Sequence, residues 1–543
     1  MASRTKRILK GVGLILGILI LLAIGFGLYL KSIIPKPVGT PTVLQAGLFD
    51  RPAQPLPMEG RYVFKSAHEL AAMIRHQEAT SEDVVKEFLA NIKNNNWKYK
   101  AIIWLREDEA LHEARMADEA VAKGDTLDKP LLGVPVTLKE MYWVKGSPST
   151  MNAKMFGFTA PEDGPLARQM KTAGAIILGT TNVPFMLSDY QTHGEVYPTA
   201  SNPYDTTRTP GGSTGGGAAA LAAGFTTLEI GSDLGGSIRI PAAFCGLYGL
   251  KPSLGAINIT QGTGPDTTTK YTRFALASGG PLARDLEDLE LLWHVLKNVP
   301  PDPRFPAPTE TMAASEKTLD QYRLAWMDQW AREKDGVKVS EDVVSKMKML
   351  ADSLAGHGVK MSHEAPPMLD DMLRNFMASF AGMMGENQPW LIRKFIAIDF
   401  AKFDDGSGIY ENFKETIMDP TDTRWVEILE QRKDLIEAWD VFFKSYDFFI
   451  CPVTYGPAIH KCPQGSKLEG DHGQMMTYLD YFTCSPAFNA TGHPSLSVPL
   501  GLNADGLPVG VQIVGPYHSE EEILHLARLI SPYTQGFVKP AQL

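Results

Sequence analysis

The chain has 543 residues, 44% of them hydrophobic and 21% charged, enough to bury a large core and too apolar for global disorder. A net charge of −10 argues for solubility and against a nucleic-acid partner, which would require a basic face. The four cysteines, Cys245, Cys451, Cys462 and Cys484, form no C-x-x-C pair, so they support neither a disulfide framework nor a zinc site and read as small buried hydrophobes.

Residues 11–30 (GVGLILGILILLAIGFGLYL) carry no charge. As a helix they extend roughly 30 Å, about one hydrocarbon thickness. No A-x-A site follows, so an uncleaved single-span anchor is expected in preference to a secretory signal. Arg4, Lys6, Arg7 and Lys10 precede the span and Lys31 and Lys36 follow it. That bias puts the N-terminus in the cytoplasm and the bulk of the chain across the membrane. Residues 33–60 are proline-rich and read as an extended tether. The expected organisation is therefore a tip and anchor (1–32), a tether (33–60) and one folded domain (61–543).

From Phe64 the pattern is helical, with Leu70, Ile74, Val84, Val85, Phe88 and Ile92 on the buried faces and N-caps at Ser66 and Ser81. A further helix is predicted over 107–123. Residues 132–137 (LGVPVT) read as a short buried strand that delivers Lys139 at its end. A helix over 168–174 and a strand over 175–178 (AIIL) follow. Residues 320–440 read as mostly helical, dense in Met, Phe and Trp. They suit a core helix pair, an apolar wall for a lipid-like ligand, or a surface that dips into a bilayer. Strands are expected at 448–452 (FFICP) and 495–498 (SLSV), and Asp505-Gly506 is a hairpin turn between two apolar runs. Helices alternating with short apolar strands predict an α/β fold: a mixed, mostly parallel twisted sheet with helices on both faces.

The densest signal lies over 209–253, where hydroxyl residues sit on glycine turns. No lysine follows the glycines, which excludes a P-loop, and "GGSTGGGAAA" follows a turn, which excludes a dinucleotide fingerprint. A nucleophile turn fits "TTLEIGSDLGGSIRIP". Residues 226–230 are strand-like, Gly235-Gly236 allows a tight turn, and Ser237 sits where a short helix begins, with backbone N–H groups free to face a developing negative charge. A serine nucleophile needs a base. No histidine lies within the stretch. Lys139, at a buried strand end, is the better candidate, provided that desolvation brings its pKa from about 10.4 toward neutrality.

These motifs resemble the amidase signature family, serine hydrolases with a Ser-Ser-Lys triad. The residues that carry the resemblance are Lys139, "GGSTGG" at 211–216 and "DLGGSIRIP" at 233–241, with 74 residues from Lys139 to Ser213 and 24 from Ser213 to Ser237. "NPYD", "GLKPS", "YDFFICPVT" and "GLPVGVQIVG" extend it over roughly 65–530. The resemblance implies Ser237 as nucleophile, Ser213 as proton relay preceded by a cis bond, Lys139 as base, and the N–H groups of Leu234, Gly235, Gly236 and Ser237 as oxyanion hole. Asp233 and Arg239 would brace the turns as an ion pair. Thr214, where many members have serine, lies beside the relay. No cofactor and no metal are implied. The membrane span ahead of such a domain, with "TNVP" at 181–184, is similar to the fatty acid amide hydrolase branch. That branch implies a lipid amide drawn from a membrane, with a homodimer among the open assemblies. A general amidase, carbamate or ester hydrolase is the alternative; a further one is a glutamine-dependent amidotransferase subunit.

Overall fold

The computed structural model describes residues 45–54, 56, 60–259, 276–299, 312–330, 338–386, 388–404, 406, 408–471 and 473–541. Within them eleven strands form one sheet. They are β1 (Ile102–Leu105), β2 (Pro135–Lys139), β3 (Ile176–Thr181), β4 (Leu228–Asp233), β5 (Tyr248–Lys251), β6 (Ser278–Ala283), β7 (Arg323–Trp326), β8 (Lys360–His363), β9 (Phe448–Pro452), β10 (Ser495–Leu502) and β11 (Pro508–Val514). The order across the sheet is β1-β3-β2-β4-β6-β5-β10-β11-β9-β7-β8. The expected span at 11–30 and most of the tether lie outside the described residues. Among the described residues no helix is long and apolar enough to cross a membrane.

The sheet is mixed, as expected, but not mostly parallel. Only the pairs β3–β2, β2–β4, β9–β7 and β7–β8 are parallel; the other six neighbours run antiparallel. The physical reason lies in the connections. The hairpin at Asp505-Gly506 joins β10 to β11 directly, and the other antiparallel pairs bring together strands distant in the chain, such as β5 with β10, whose long connections do not return them in parallel. In the hairpin Gly506 has φ +76°, and Asn503 N–H donates to the Leu507 carbonyl at 2.8 Å.

Several predicted boundaries move. Helix α1 (Ala67–Arg75) is capped by Ser66, with Glu69 completing a capping box. Helix α2 (Ser81–Tyr99) is capped by Thr80 rather than Ser81, because the Ser81 hydroxyl donates to the Gly133 carbonyl at 2.8 Å. The strand expected at 132–137 starts later and ends on Lys139, as the motif requires. Among its described residues the section at 320–440 is mostly helical, with strand β7 and, at the edge of the sheet, β8. Cys245, Cys451 and Cys484 are buried, while Cys462 is half-buried.

Helices cover the sheet, and six of them matter for the site. Helix α3 (Gly215–Ala222) is buried along its whole length, and so is α4 (Arg239–Phe244). Helix α5 (Leu369–Gly385) packs against α6 (Trp390–Phe400) and α7 (Ile409–Met418) through a ring cluster in which Phe400 stacks on Phe413 at 4.3 Å, and against α8 (Asp422–Ser445) where Ala378 meets Trp425 and Ile428. Helix α6 is buried only at Ala397, and it leaves Trp390, Phe395 and Ile398 more than half exposed.

Candidate active site

Strands β2 and β4 lie side by side and parallel, so their C-terminal ends open at the same edge of the sheet. Lys139 is the last residue of β2, and Asp233 is the last of β4. Loops outside the carboxyl ends of parallel strands are where α/β sheets place their ligands. Here the loop after β4 carries Ser237, and the loop before α3 carries Ser213.

The sequence sets these two turns locally. Gly236 has φ +114°, a conformation that favours glycine, and a Cβ there would fall 2.5 Å from Ile240 Cδ1. At Gly212 a Cβ would fall 2.5 Å from the Asp189 carbonyl oxygen. The Gly212–Ser213 bond is cis. The two turns are tied together by the Thr214 N–H, which donates to the Ser237 carbonyl at 3.1 Å.

Lys139 is fully buried with its ammonium among oxygens only: Ser213 Oγ at 2.7 Å, Thr214 Oγ1 and Ser232 Oγ at 3.0 Å each, and the Ser232 carbonyl at 3.4 Å. Desolvation pushes its pKa down to about 7, against the pull of Asp233, Glu229 and Glu140. The hydrogen-bond directions suit both forms of the amine. The Thr214 hydroxyl donates to the Ser232 carbonyl and the Ser232 hydroxyl to Met141 Sδ, so both turn lone pairs toward Lys139. They can take two N–H groups of the amine; when Lys139 is protonated its third N–H donates to Ser213 Oγ, and when it is neutral its lone pair is open to the Ser213 O–H. Thr214 is thus in direct contact with the lysine. Ser232 was missed by the sequence reading, although it stands one residue before the motif Asp233.

Asp233 and Arg239 form a buried bidentate pair, with Nε and Nη2 each 3.0 Å from a carboxylate oxygen. Burial alone would raise the Asp233 carboxyl; the guanidinium overrides it and holds the group well below the usual carboxylate range. Arg239 also donates to the Ser485 carbonyl, Gln512 Oε1 and Asn489 Oδ1, at 2.9, 2.8 and 2.6 Å. The pair therefore braces the turn that carries Ser237 against residues about 250 positions away, which no local motif reveals.

One of the four expected oxyanion amides is already committed. Gly236 N–H donates to Asp233 Oδ1 at 2.7 Å, which leaves Leu234, Gly235 and Ser237, whose N–H groups donate to no acceptor among the described residues. The carboxylate wins Gly236 because the tight turn folds that amide back over β4. Ser213 and Ser237 both line one cavity, and no direct hydrogen bond joins them among the described residues. The cavity is about 410 Å³. It is also walled by Phe376, Met377, Phe380 and Met383 of α5 and by Phe400 and Phe403. The Met- and Phe-rich section thus meets the serines only through folding. Histidine does approach the rim: His193 pairs with the cavity-lining Asp189 at 2.6 Å, but it contacts neither serine.

The site comprises a serine beside unengaged amides, a second serine on a buried amine, and an apolar cavity; such a set can add an oxygen nucleophile to a carbonyl and hold the resulting charge. The Amidase family profile matches residues 83–524. A glutamyl-tRNA(Gln) amidotransferase subunit of Clostridium botulinum (strain Eklund 17B / Type B) is 29% identical over 486 residues, covering 85% of this chain and 95% of that protein. Two solved structures share the fold: 6-aminohexanoate cyclic dimer hydrolase complexed with substrate (TM-score 0.70, 23% identity, 89% of this chain and 99% of that one) and a fatty acid amide hydrolase (TM-score 0.71, 21% identity, 89% and 87%). The chain belongs to the Amidase family and is an enzyme of amide C–N bonds.

Proposed function

We propose that the enzyme hydrolyses long-chain fatty acid amides through an acyl-enzyme on Ser237. Ser237 Oγ adds to the amide carbon while its proton passes to Ser213, whose own proton moves to the neutral Lys139. The N–H groups of Leu234, Gly235 and Ser237 hold the oxyanion. As the C–N bond breaks, Lys139 and Ser213 return a proton to the leaving amine, and water then releases the acid by the same route. The Ser237–Ser213 link closes when substrate fills the cavity, since catalytic hydrogen bonds tighten in the complex.

The observation that carries the acyl assignment is the cavity wall. Six aromatic and methionine side chains line the same cavity as the two serines, and such a wall gains about 0.8 kcal/mol for each CH₂ it removes from water. The relatives at 29% identity favour a second reading, in which the chain is one subunit of a glutamine-using amidotransferase. Glutamine carries an ammonium and a carboxylate that both need partners. Among the described residues the charged one lining the cavity is Asp189, and its carboxylate already accepts from Tyr478, His193 and the Tyr190 N–H.

An acyl-length series from C2 to C20, with glutamine alongside, tests the choice. We expect kcat/KM to climb several-fold per methylene over the buried part of the chain. A flat profile, or glutamine as the best substrate, removes the lipid assignment.

Residues 11–30 anchor the enzyme to the membrane in this reading. Deleting residues 1–30 is expected to move the protein from the membrane pellet to the supernatant with hydrolysis intact. Retention in the pellet would transfer membrane binding to the exposed face of α6 at Trp390, Phe395 and Ile398. A full-length chain already in the supernatant would end the anchor.

A further inference from the structure

Behind Lys139 lies a second buried ionisable group that the mechanism does not use. In the parallel strands β2, β3 and β4, Lys139 pairs with Thr181 and Thr137 pairs with Glu229. Register partners point to the same face, and so do residues two apart on one strand, so Thr137, Lys139, Thr181 and Glu229 share one face of the sheet. Helix α3 lies on that face. A Cβ on Gly217 would fall 2.4 Å from Glu229 Oε1, so bare helix backbone makes room for the carboxyl. Glu229 is fully buried and held by two hydroxyls, Thr137 Oγ1 at 2.5 Å and Thr181 Oγ1 at 2.7 Å. Among the described residues no Lys, Arg or His nitrogen lies within 4 Å of it to form an ion pair. A buried acid without a counter-ion is costly, and an apolar side chain would fill the space more cheaply.

We infer that Glu229 is a positioning residue for the lysine, a hydroxyl-clamped carboxyl that governs the pH range over which Lys139 is available as a base. This rests on the assignment of Lys139 as the base. The other charged groups that face the amine are already committed. Asp233, on β4, is paired with Arg239, and Glu140, following β2, accepts from Thr150 and from the Met151 N–H. β3 contributes Thr181, and α3 with the loop before it contributes only glycine, alanine, leucine and the hydroxyls of Ser213 and Thr214. Burial raises the Glu229 carboxyl to about 7, with the two threonines and Lys139 pulling it back, so it changes charge in the same range as the lysine. Ionised Glu229 favours the ammonium. Removing its charge lets Lys139 give up its proton at lower pH.

The test is the pH dependence of fluorophosphonate labelling at Ser237 in the full-length protein, which does not depend on the substrate's identity. In Glu229→Gln the acid limb is expected to shift about one pH unit lower, raising the labelling rate near pH 6 by up to about tenfold relative to the plateau. The double variant Thr137→Val/Thr181→Val strips the donors that favour the carboxylate and is expected to shift the limb in the same direction by less. It serves as the measurement should Glu229→Gln fail to fold. A limb that coincides with wild type, moves higher, or merely drops in amplitude at every pH overturns the inference. If Lys139→Ala also leaves the labelling rate and its limb unchanged, the base assignment itself falls, which is a distinct outcome.

Discussion

Replacing Ser237 with alanine is expected to lower amide turnover by about 10⁴- to 10⁶-fold, the scale on which removal of a nucleophile acts when its partners work as a unit. The folded state should barely notice. The Ser237 hydroxyl faces the cavity and forms no side-chain hydrogen bond among the described residues, so the change in stability should stay within about 0.5 kcal/mol. Thermal melting and mass spectrometry after fluorophosphonate treatment check both parts. One adduct on Ser237 in the wild type, and none in the variant, is the expected result. An adduct on Ser213, or a variant that still turns over substrate, would move the nucleophile elsewhere.

Lys139→Ala should cost about 10³- to 10⁴-fold in kcat/KM, the upper part of what a positioned base contributes. Its pH profile carries the sharper information. Desolvation pushes the Lys139 pKa down to about 7, so the reactive, unprotonated amine is scarce below that value and dominant above it. Wild-type activity should therefore rise through about pH 7 and level off, although the free side chain titrates near 10.4. In Lys139→Ala that limb should vanish. A limb near 7 that survives the substitution would assign the titration to another group, Glu229 or the half-buried His193 being the first to examine.

Some features of this site are local and others are not, and the sequence exposes only the local ones. A glycine turn, a strand ending on a lysine and a serine two residues before a helix are fixed by neighbours a few positions away. The Gly236 turn, the strand end at Lys139 and the Asp505-Gly506 hairpin were therefore legible in one dimension. Helix caps are local too, yet Ser81 shows the limit. Its hydroxyl is claimed by the Gly133 carbonyl, 52 residues on, and Thr80 takes the cap instead. The mostly parallel sheet failed for a related reason. Strand identity follows from apolar runs, but direction depends on which strands meet, and β10 meets β5 and β11 rather than a crossover partner.

What the sequence alone determined is the family: two serines on glycine turns and a strand-end lysine at family spacing, and the Amidase membership they announce. Tertiary structure alone decided the setting of those residues. It walled the cavity with Phe376 and Phe400, braced Arg239 on Asn489 and Gln512, committed the Gly236 amide to Asp233, and placed a second acid behind the lysine. Turn geometry is a property of a few consecutive torsions, whereas desolvation and packing belong to atoms hundreds of residues apart in the chain, and a pKa near 7 on a lysine exists only once those atoms have excluded water.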